Sequence, residues 1–124
     1  MAWEVEFTDQ FGKWWDRLDA DGQEDIRASV KLLQAVGPTL GRPHADTVDG
    51  SRHANMKELR TQSNGRPLRT FFAFDPRRTA ILLIAGDKTG DNRFYQTMIP
   101  IADKLYDEHL EELTKEITHG TQVR

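Results

Sequence analysis

The chain has no cysteine. That absence removes disulfides, thiol nucleophiles and cysteine-ligated zinc from consideration. Its histidines, His44, His53, His109 and His119, fall in no HxH or HExxH spacing, so no metal and no other cofactor is expected. No apolar run approaches the roughly twenty residues of a membrane helix. The opening residues, MAWEVEF, lack the basic start and apolar stretch of a signal peptide. A cytoplasmic location without a membrane partner is therefore expected. A phosphate-binding loop is missing too, because GDKTGDN at 86–92 has two glycines without the GxxxxGK[ST] spacing. No Ser-His-Asp arrangement follows from spacing. An overall positive charge is also lacking, the formal net charge being −3.

The charge is uneven, however. Residues 1–40 hold four Lys or Arg against eight Asp or Glu, residues 41–95 hold ten against six, and residues 96–124 hold three against six. The basic middle could attract phosphates although the whole chain is acidic. With 37% apolar and 30% charged residues, the composition is that of a globular protein rather than a membrane or disordered one. Residues 1–124 suit one domain.

Periodicity predicts the elements. Trp3, Val5 and Phe7 alternate with Glu4 and Glu6, the pattern of a half-buried strand. Thr8 or Asp9 then caps a helix with Phe11, Trp14, Trp15 and Leu18 on one face. After the turn DADG, Asp21 is the expected cap of a second helix whose stripe is Ile26, Val30, Leu33 and Val36, stopped at Gly37-Pro38. Residues 37–54 read as a long irregular connection. Three strands follow: 55–62, with Met56, Glu58 and Arg60 opposite Lys57 and Leu59; 68–75, with Leu68, Thr70, Phe72 and Phe74 opposite Arg69, Phe71 and Ala73; and 79–87, apolar on both faces. The turns SNGRP and DPRR make them an antiparallel meander. Pro100 suits the first turn of a last helix, striped by Ile101 or Ala102, Leu105, Tyr106, His109, Leu113 and Ile117 and stopped at Gly120. The order is β-α-α-β-β-β-α, an α+β domain with its helices on one face of the sheet. Arg69 would then emerge on the uncovered face.

The residues that could do chemistry are cationic: Arg52, Lys57, Arg60, Arg66, Arg69, Lys88 and Arg93, joined by Tyr95, with His53 just ahead of the basic strand. RNA cleavage by a 2′-hydroxyl needs a base, cations for the phosphorane and an acid for the leaving oxygen. Arginine meets the second need with two hydrogen bonds and a permanent charge. Tyrosine or arginine can stack on an unpaired base. Exposed strand faces equally carry Lys and Arg in contact with solvent alone.

The segment order, with MKELR entering the second strand, GRPLRTFFAFD forming the hairpin and third, and AILLIAGDK the fourth, resembles the RelE/HigB family. These are toxins of type II toxin–antitoxin systems, and the likeness is greater to the HigB-like branch related to phage-derived proteins. It covers nearly the whole chain, through L-x-R-P (Leu40 to Pro43), K-E-L-R (57–60) and R-x-x-F with the apolar strand pair after it. The resemblance implies a RelE-like fold, an antiparallel sheet packed on an N-terminal α-hairpin. It implies a ribosome-dependent mRNA endonuclease, an mRNA interferase working by metal-independent 2′-hydroxyl attack. Its partners would be the ribosome, mRNA and a cognate antitoxin, a helix-turn-helix DNA-binding protein of HigA type.

Residue by residue, Arg60 falls on the arginine ending the second strand. Arg69 falls on the arginine expected to hold the scissile phosphate, Lys88 on a cation after the fourth strand, and Tyr95 on the C-terminal tyrosine. Glu58 stands where RelE-like members often have lysine, and a carboxylate there could be a general base. Lys57 and Arg93 would contact phosphates, with Arg52, His53 and Arg66 completing an RNA-binding set. A second reading keeps the fold without nuclease activity: a degenerate toxin or a ParE-like gyrase inhibitor acting through protein partners. Arg69 with Tyr95 favours the first reading; Glu58, Asp87 and the net acidity favour the second.

Overall fold

The computed structural model describes residues 2–123, with side chains through Glu116. The elements are β1 (Val5–Phe7), α1 (Asp9–Arg17), α2 (Ala20–Val36), β2 (Ala45–Thr47), β3 (Lys57–Ser63), β4 (Arg66–Phe74), β5 (Ala80–Asp87) and α3 (Phe94–Val123). One sheet joins all the strands in the order β1-β5-β4-β3-β2. The meander β3-β4-β5 is antiparallel as expected, but β1 runs parallel to β5, so the sheet is mixed. Two helices and three strands separate β1 from β5 in the chain, so no tight turn forces them antiparallel. The connection 37–54 is also more ordered than expected, because β2 pairs antiparallel with β3.

Local chemistry sets the boundaries. Thr8 caps α1, accepting from the Phe11 N–H at 3.0 Å, and its hydroxyl donates to the Leu83 carbonyl at 2.6 Å, tying the helix start to β5. Asp19, not Asp21, caps α2 by accepting from the Gly22 N–H at 3.3 Å. Asp21 accepts instead from the Asn64 amide at 3.0 Å, at the β3–β4 turn. That turn needs positive φ at two successive residues, and Asn64 (51°) with Gly65 (78°) supplies it.

The sheet is covered on both faces, not one. The α1–α2 hairpin lies on the first face, where Phe11, Ile26 and Leu33 meet Leu59, Leu68, Phe72 and Leu82. On the second face Phe94, Ala102, Leu105 and Tyr106 of α3 meet Met56, Phe71, Ala73 and Leu83. The alternation expected for β4 holds. Truncating Phe71 or Phe72, each almost wholly buried, would cost about 3–5 kcal/mol. Arg69 does share a face with Phe71, but α3 covers that face, and the residue is 5% exposed.

The last helix begins at Phe94, well before Pro100, which lies inside it on the exposed side. The Asp91 carboxylate accepts from the Arg93 N–H at 3.0 Å and starts the turn early. Phe94 and Met98 then pull the first turns onto the sheet. Pro100 leaves the Gln96 carbonyl without its helical N–H, a cost that is small where that residue is exposed to water. The helix runs on past the stop expected at Gly120. The side chains of Ile117 and His119 lie outside the described residues.

Candidate functional site

The second face of the sheet holds Glu58 and Arg60 on β3 and Arg69 on β4, near the first turn of α3. Residues facing one another across antiparallel strands share a face, and Arg60 stands directly opposite Arg69. Two like charges so placed repel unless an anion lies near. Glu58, two residues before Arg60, supplies one: its Oε1 is 3.7 Å from Arg69 Nε. That is an ion-pair distance, too long for a hydrogen bond. Arg69 Nη1 donates to its neighbour's carbonyl at Leu68, at 3.1 Å. Its buried Nε has no hydrogen-bond partner.

Tyr95 closes the site from α3. Its hydroxyl donates to Glu58 Oε1 at 2.6 Å. Its ring packs edge-on against Phe71 at 6.1 Å and Phe94 at 5.4 Å, and Lys88 Nζ lies 5.4 Å from its centroid. Burial, then the hydrogen bond to Glu58 and that carboxylate's charge, hold the phenol above its ordinary pKa, with Arg69 acting in the opposite sense. The phenol is therefore protonated at neutral pH and available as a donor.

Gly86 makes this closure possible. It faces Arg69 across β4–β5, and a Cβ there would lie 3.0 Å from the Phe94 ring. Its missing side chain is what lets Phe94, and with it Tyr95, sit down on the sheet. The two aspartates of the connecting loop are engaged locally: Asp87 accepts from the Thr89 N–H and hydroxyl at 2.9 and 2.6 Å, and Asp91 starts α3.

Glu58, Arg60, Arg69, Lys88 and Tyr95 thus converge, with Arg93 exposed at the head of α3, its Nε donating to Gln96 at 3.3 Å. The other sequence candidates are held elsewhere. Lys57 points to the opposite face and donates to the Pro38 carbonyl at 2.7 Å. Arg66 donates to Asp19 at 2.8 Å, pinning the β3–β4 turn to the start of α2. Arg52 pairs with Asp107, and His53 Nε2 lies 2.7 Å from the same carboxylate, so both fasten the loop before β3 to the middle of α3. Asp107 is twelve residues along the helix from Tyr95, about 18 Å by helical rise.

Two residues absent from the expected set stand at the rim: Arg42 and Asp46, joined by a 2.8 Å hydrogen bond from Nε to Oδ2. Asp46 lies directly opposite Glu58 across β2–β3. Three residues of strand are too short for a periodicity to reveal, so only the pairing places them. Among the described residues, no three His, Asp or Glu side chains converge as metal ligands. What the site offers is a carboxylate that can accept a proton, a phenol that can give one, and guanidinium groups suited to an anion.

The family described as "Phage derived protein Gp49-like" matches residues 13–107. The chain is 44% identical over 112 residues to "Putative toxin HigB2" of Mycobacterium tuberculosis, covering 89% of this chain and 55% of that protein. It is 47% identical over 96 residues to "Putative toxin HigB3" of the same organism, covering 77% and 82%. The chain thus spans only about half the length of HigB2. Its fold is similar to that of the isolated E. coli RelE toxin, with a TM-score of 0.59 at 11% identity over 81% of this chain and 99% of the other. The toxin–antitoxin complex RelBE of E. coli gives 0.55 at 12% identity over 68% and 95%. At such identities the likeness concerns the fold alone.

Proposed function

The chain belongs to the Gp49-like family of phage-derived proteins and has the RelE-like fold, and from that premise we propose that it is the toxin of a toxin–antitoxin pair, a ribosome-dependent mRNA endonuclease. It acts in the cytoplasm, where ribosomes are. A cognate antitoxin, a helix-turn-helix protein of HigA type, neutralises it. The observation that carries this reading is the hydrogen bond from Tyr95 to Glu58 beside Arg69.

The reaction follows from those groups. Glu58 takes the proton of a ribose 2′-hydroxyl on Oε2, which has no hydrogen-bond partner among the described residues. The 2′-oxygen bonds to the adjacent phosphorus, the bond from phosphorus to the 5′-oxygen breaks, and a 2′,3′-cyclic phosphate forms. Arg69, with Arg60 and Lys88, balances the growing charge on the phosphorane. The unpartnered Nε of Arg69 is a donor that a phosphate oxygen would satisfy. Tyr95, kept protonated, gives its proton to the leaving 5′-oxygen. After the products leave, Glu58 releases its proton to water and the phenolate takes one back, restoring both groups. Arg69 is covered in the free chain, so a phosphate reaches it only when the first turn of α3 gives way, with Tyr95 staying within reach of the leaving oxygen.

One observation favours a second reading, a partner-binding protein without nuclease activity: Glu58 and Arg69 lie buried against one another, with their charges already matched. Expression without antitoxin separates the two. The nuclease reading requires slowed growth and cuts in ribosome-bound mRNA ending in 2′,3′-cyclic phosphate, both abolished by Glu58→Gln. Slowed growth with intact mRNA would select the binding reading, and unimpaired growth would remove the toxin assignment.

A further inference from the structure

Strand β2 and the residues before it bring an arginine to the rim of the site that the reaction above does not use. Leu40 and Ala45 are buried in the first core and anchor this segment. Because Ala45 points inward, Asp46 points to the other face, beside Glu58. Two carboxylates directly opposite on neighbouring strands repel. Each has its own counterion: Glu58 has Arg69, and Asp46 has Arg42, whose Nη2 is 2.7 Å from Oδ2.

Stability does not account for the second pair. The Arg42 side chain is 73% exposed, and exposed ion pairs contribute little to folding. Nε and Nη2 both address one carboxylate oxygen, which leaves the Nη1 edge of the guanidinium open. Arg60 is adjacent: its N–H donates to the His44 carbonyl at 2.8 Å, and its guanidinium has no carboxylate partner among the described residues. Asp46 raises the pKa of Arg42 most, burial works against it, and the more distant charge of Glu58 adds a smaller upward push. β2 and β4 are two strand spacings apart, about 10 Å. Long side chains from β4 and from the segment just before β2, where Arg42 lies, can address neighbouring phosphates of a single nucleic-acid strand.

We propose that Arg42, oriented by Asp46, binds an RNA phosphate flanking the one held by Arg69, so that β2 positions the strand. This rests on the nuclease reading for its substrate, but its test does not. The probe is a fluorescent single-stranded 2′-O-methyl RNA oligonucleotide, which has no free 2′-hydroxyl to attack and cannot be cut. Binding is measured across salt concentration for the wild-type chain, Arg42→Ala, Arg42→Lys, and Arg27→Ala on α2 as a control. Arg42→Ala should weaken binding roughly tenfold and reduce the slope of log affinity against log salt by about 0.7, the loss of one phosphate contact. Arg42→Lys should recover the slope but only part of the affinity, because lysine cannot form the two-point contact. Arg27→Ala should change neither. In ribosome-bound mRNA cleavage, Arg42→Ala should raise KM and leave kcat unchanged.

Unaltered affinity and slope in Arg42→Ala would overturn the proposal, as would a wild-type chain that does not bind the oligonucleotide. If Arg42→Ala loses binding as expected but the wild-type chain cuts no mRNA, the nuclease reading fails and the phosphate site stands.

Discussion

Tyr95 donates its hydroxyl to Glu58 at 2.6 Å, linking the first turn of α3 to the third strand across thirty-seven residues of sequence. Tyr95→Phe removes the donor and keeps the ring packing on Phe71 and Phe94. It should lower the cleavage rate by about 10²–10⁴-fold, the usual worth of a positioned acid. It should lower stability by about 1–2 kcal/mol, as for a hydrogen bond to a charged acceptor. Single-turnover cleavage and denaturant unfolding measure the two effects. A fully active phenylalanine variant would remove Tyr95 from the chemistry.

The same phenol makes a prediction for alkaline pH. Its pKa is raised in the fold, by burial first and then by Glu58. The folded state therefore keeps a proton that the unfolded chain loses near pH 10. The contribution is fully present below that pH and is lost as pH rises through the folded value. Unfolding free energy measured between about pH 9 and 11 should fall more steeply for the wild-type chain than for Tyr95→Phe.

Burial changes what an arginine deletion reports. Arg69→Ala leaves the Glu58 carboxylate buried without its cation, which should cost about 3 kcal/mol. Loss of toxicity in that variant would mix lost chemistry with lost fold. Adding Glu58→Gln should restore part of the stability and none of the activity. Thermal unfolding of the single and double variants checks this, and additive losses would mean the two groups do not interact.

Gly86→Ala adds one methyl group 3.0 Å from the Phe94 ring. The expected cost in stability is about 1–2 kcal/mol, typical of overpacking. The displaced helix start should carry Tyr95 away from Glu58, so activity should fall more than stability. Comparing cleavage with unfolding at the same temperature tests this.

Asp75 is a buried acid-sensitive point of the fold. Burial works to raise its pKa, but hydrogen bonds from Arg77, His109 and the Thr79 N–H outweigh it, and the net shift is downward. A lowered folded pKa means stability present above the unfolded value, about 3.9, and lost as pH falls through the folded one. Asp75→Ala should cost about 3 kcal/mol at neutral pH and flatten the acid limb of the stability profile. Urea titrations at pH 3, 4 and 7 distinguish this from a uniform loss.

Much of the architecture was legible because strand and helix periods differ. The alternation in 68–75 and the continuous apolar run in 79–87 named the meander, and the Asn64-Gly65 turn joined two of its strands. The family likeness rested on the order of those segments. β2 escaped because three residues carry no measurable period. The start of α3 escaped because an aspartate placed to start a helix outranks a proline that helices tolerate on a solvent face.

The sequence by itself determined which residues alternate, where the chain turns, and that the middle of an acidic chain is basic. Only the tertiary structure decided which cations share a site. Lys57 and Glu58 are neighbours in sequence, yet the two-residue period of a strand sends one to the Pro38 carbonyl and the other to Tyr95. Arg52 and Arg69 look alike in sequence, but one meets a carboxylate in the middle of α3 and the other lies beneath the first turn of that helix. Composition cannot express such differences, because a charge acts through its distance and surroundings, and both are set by how α3 lies across the sheet.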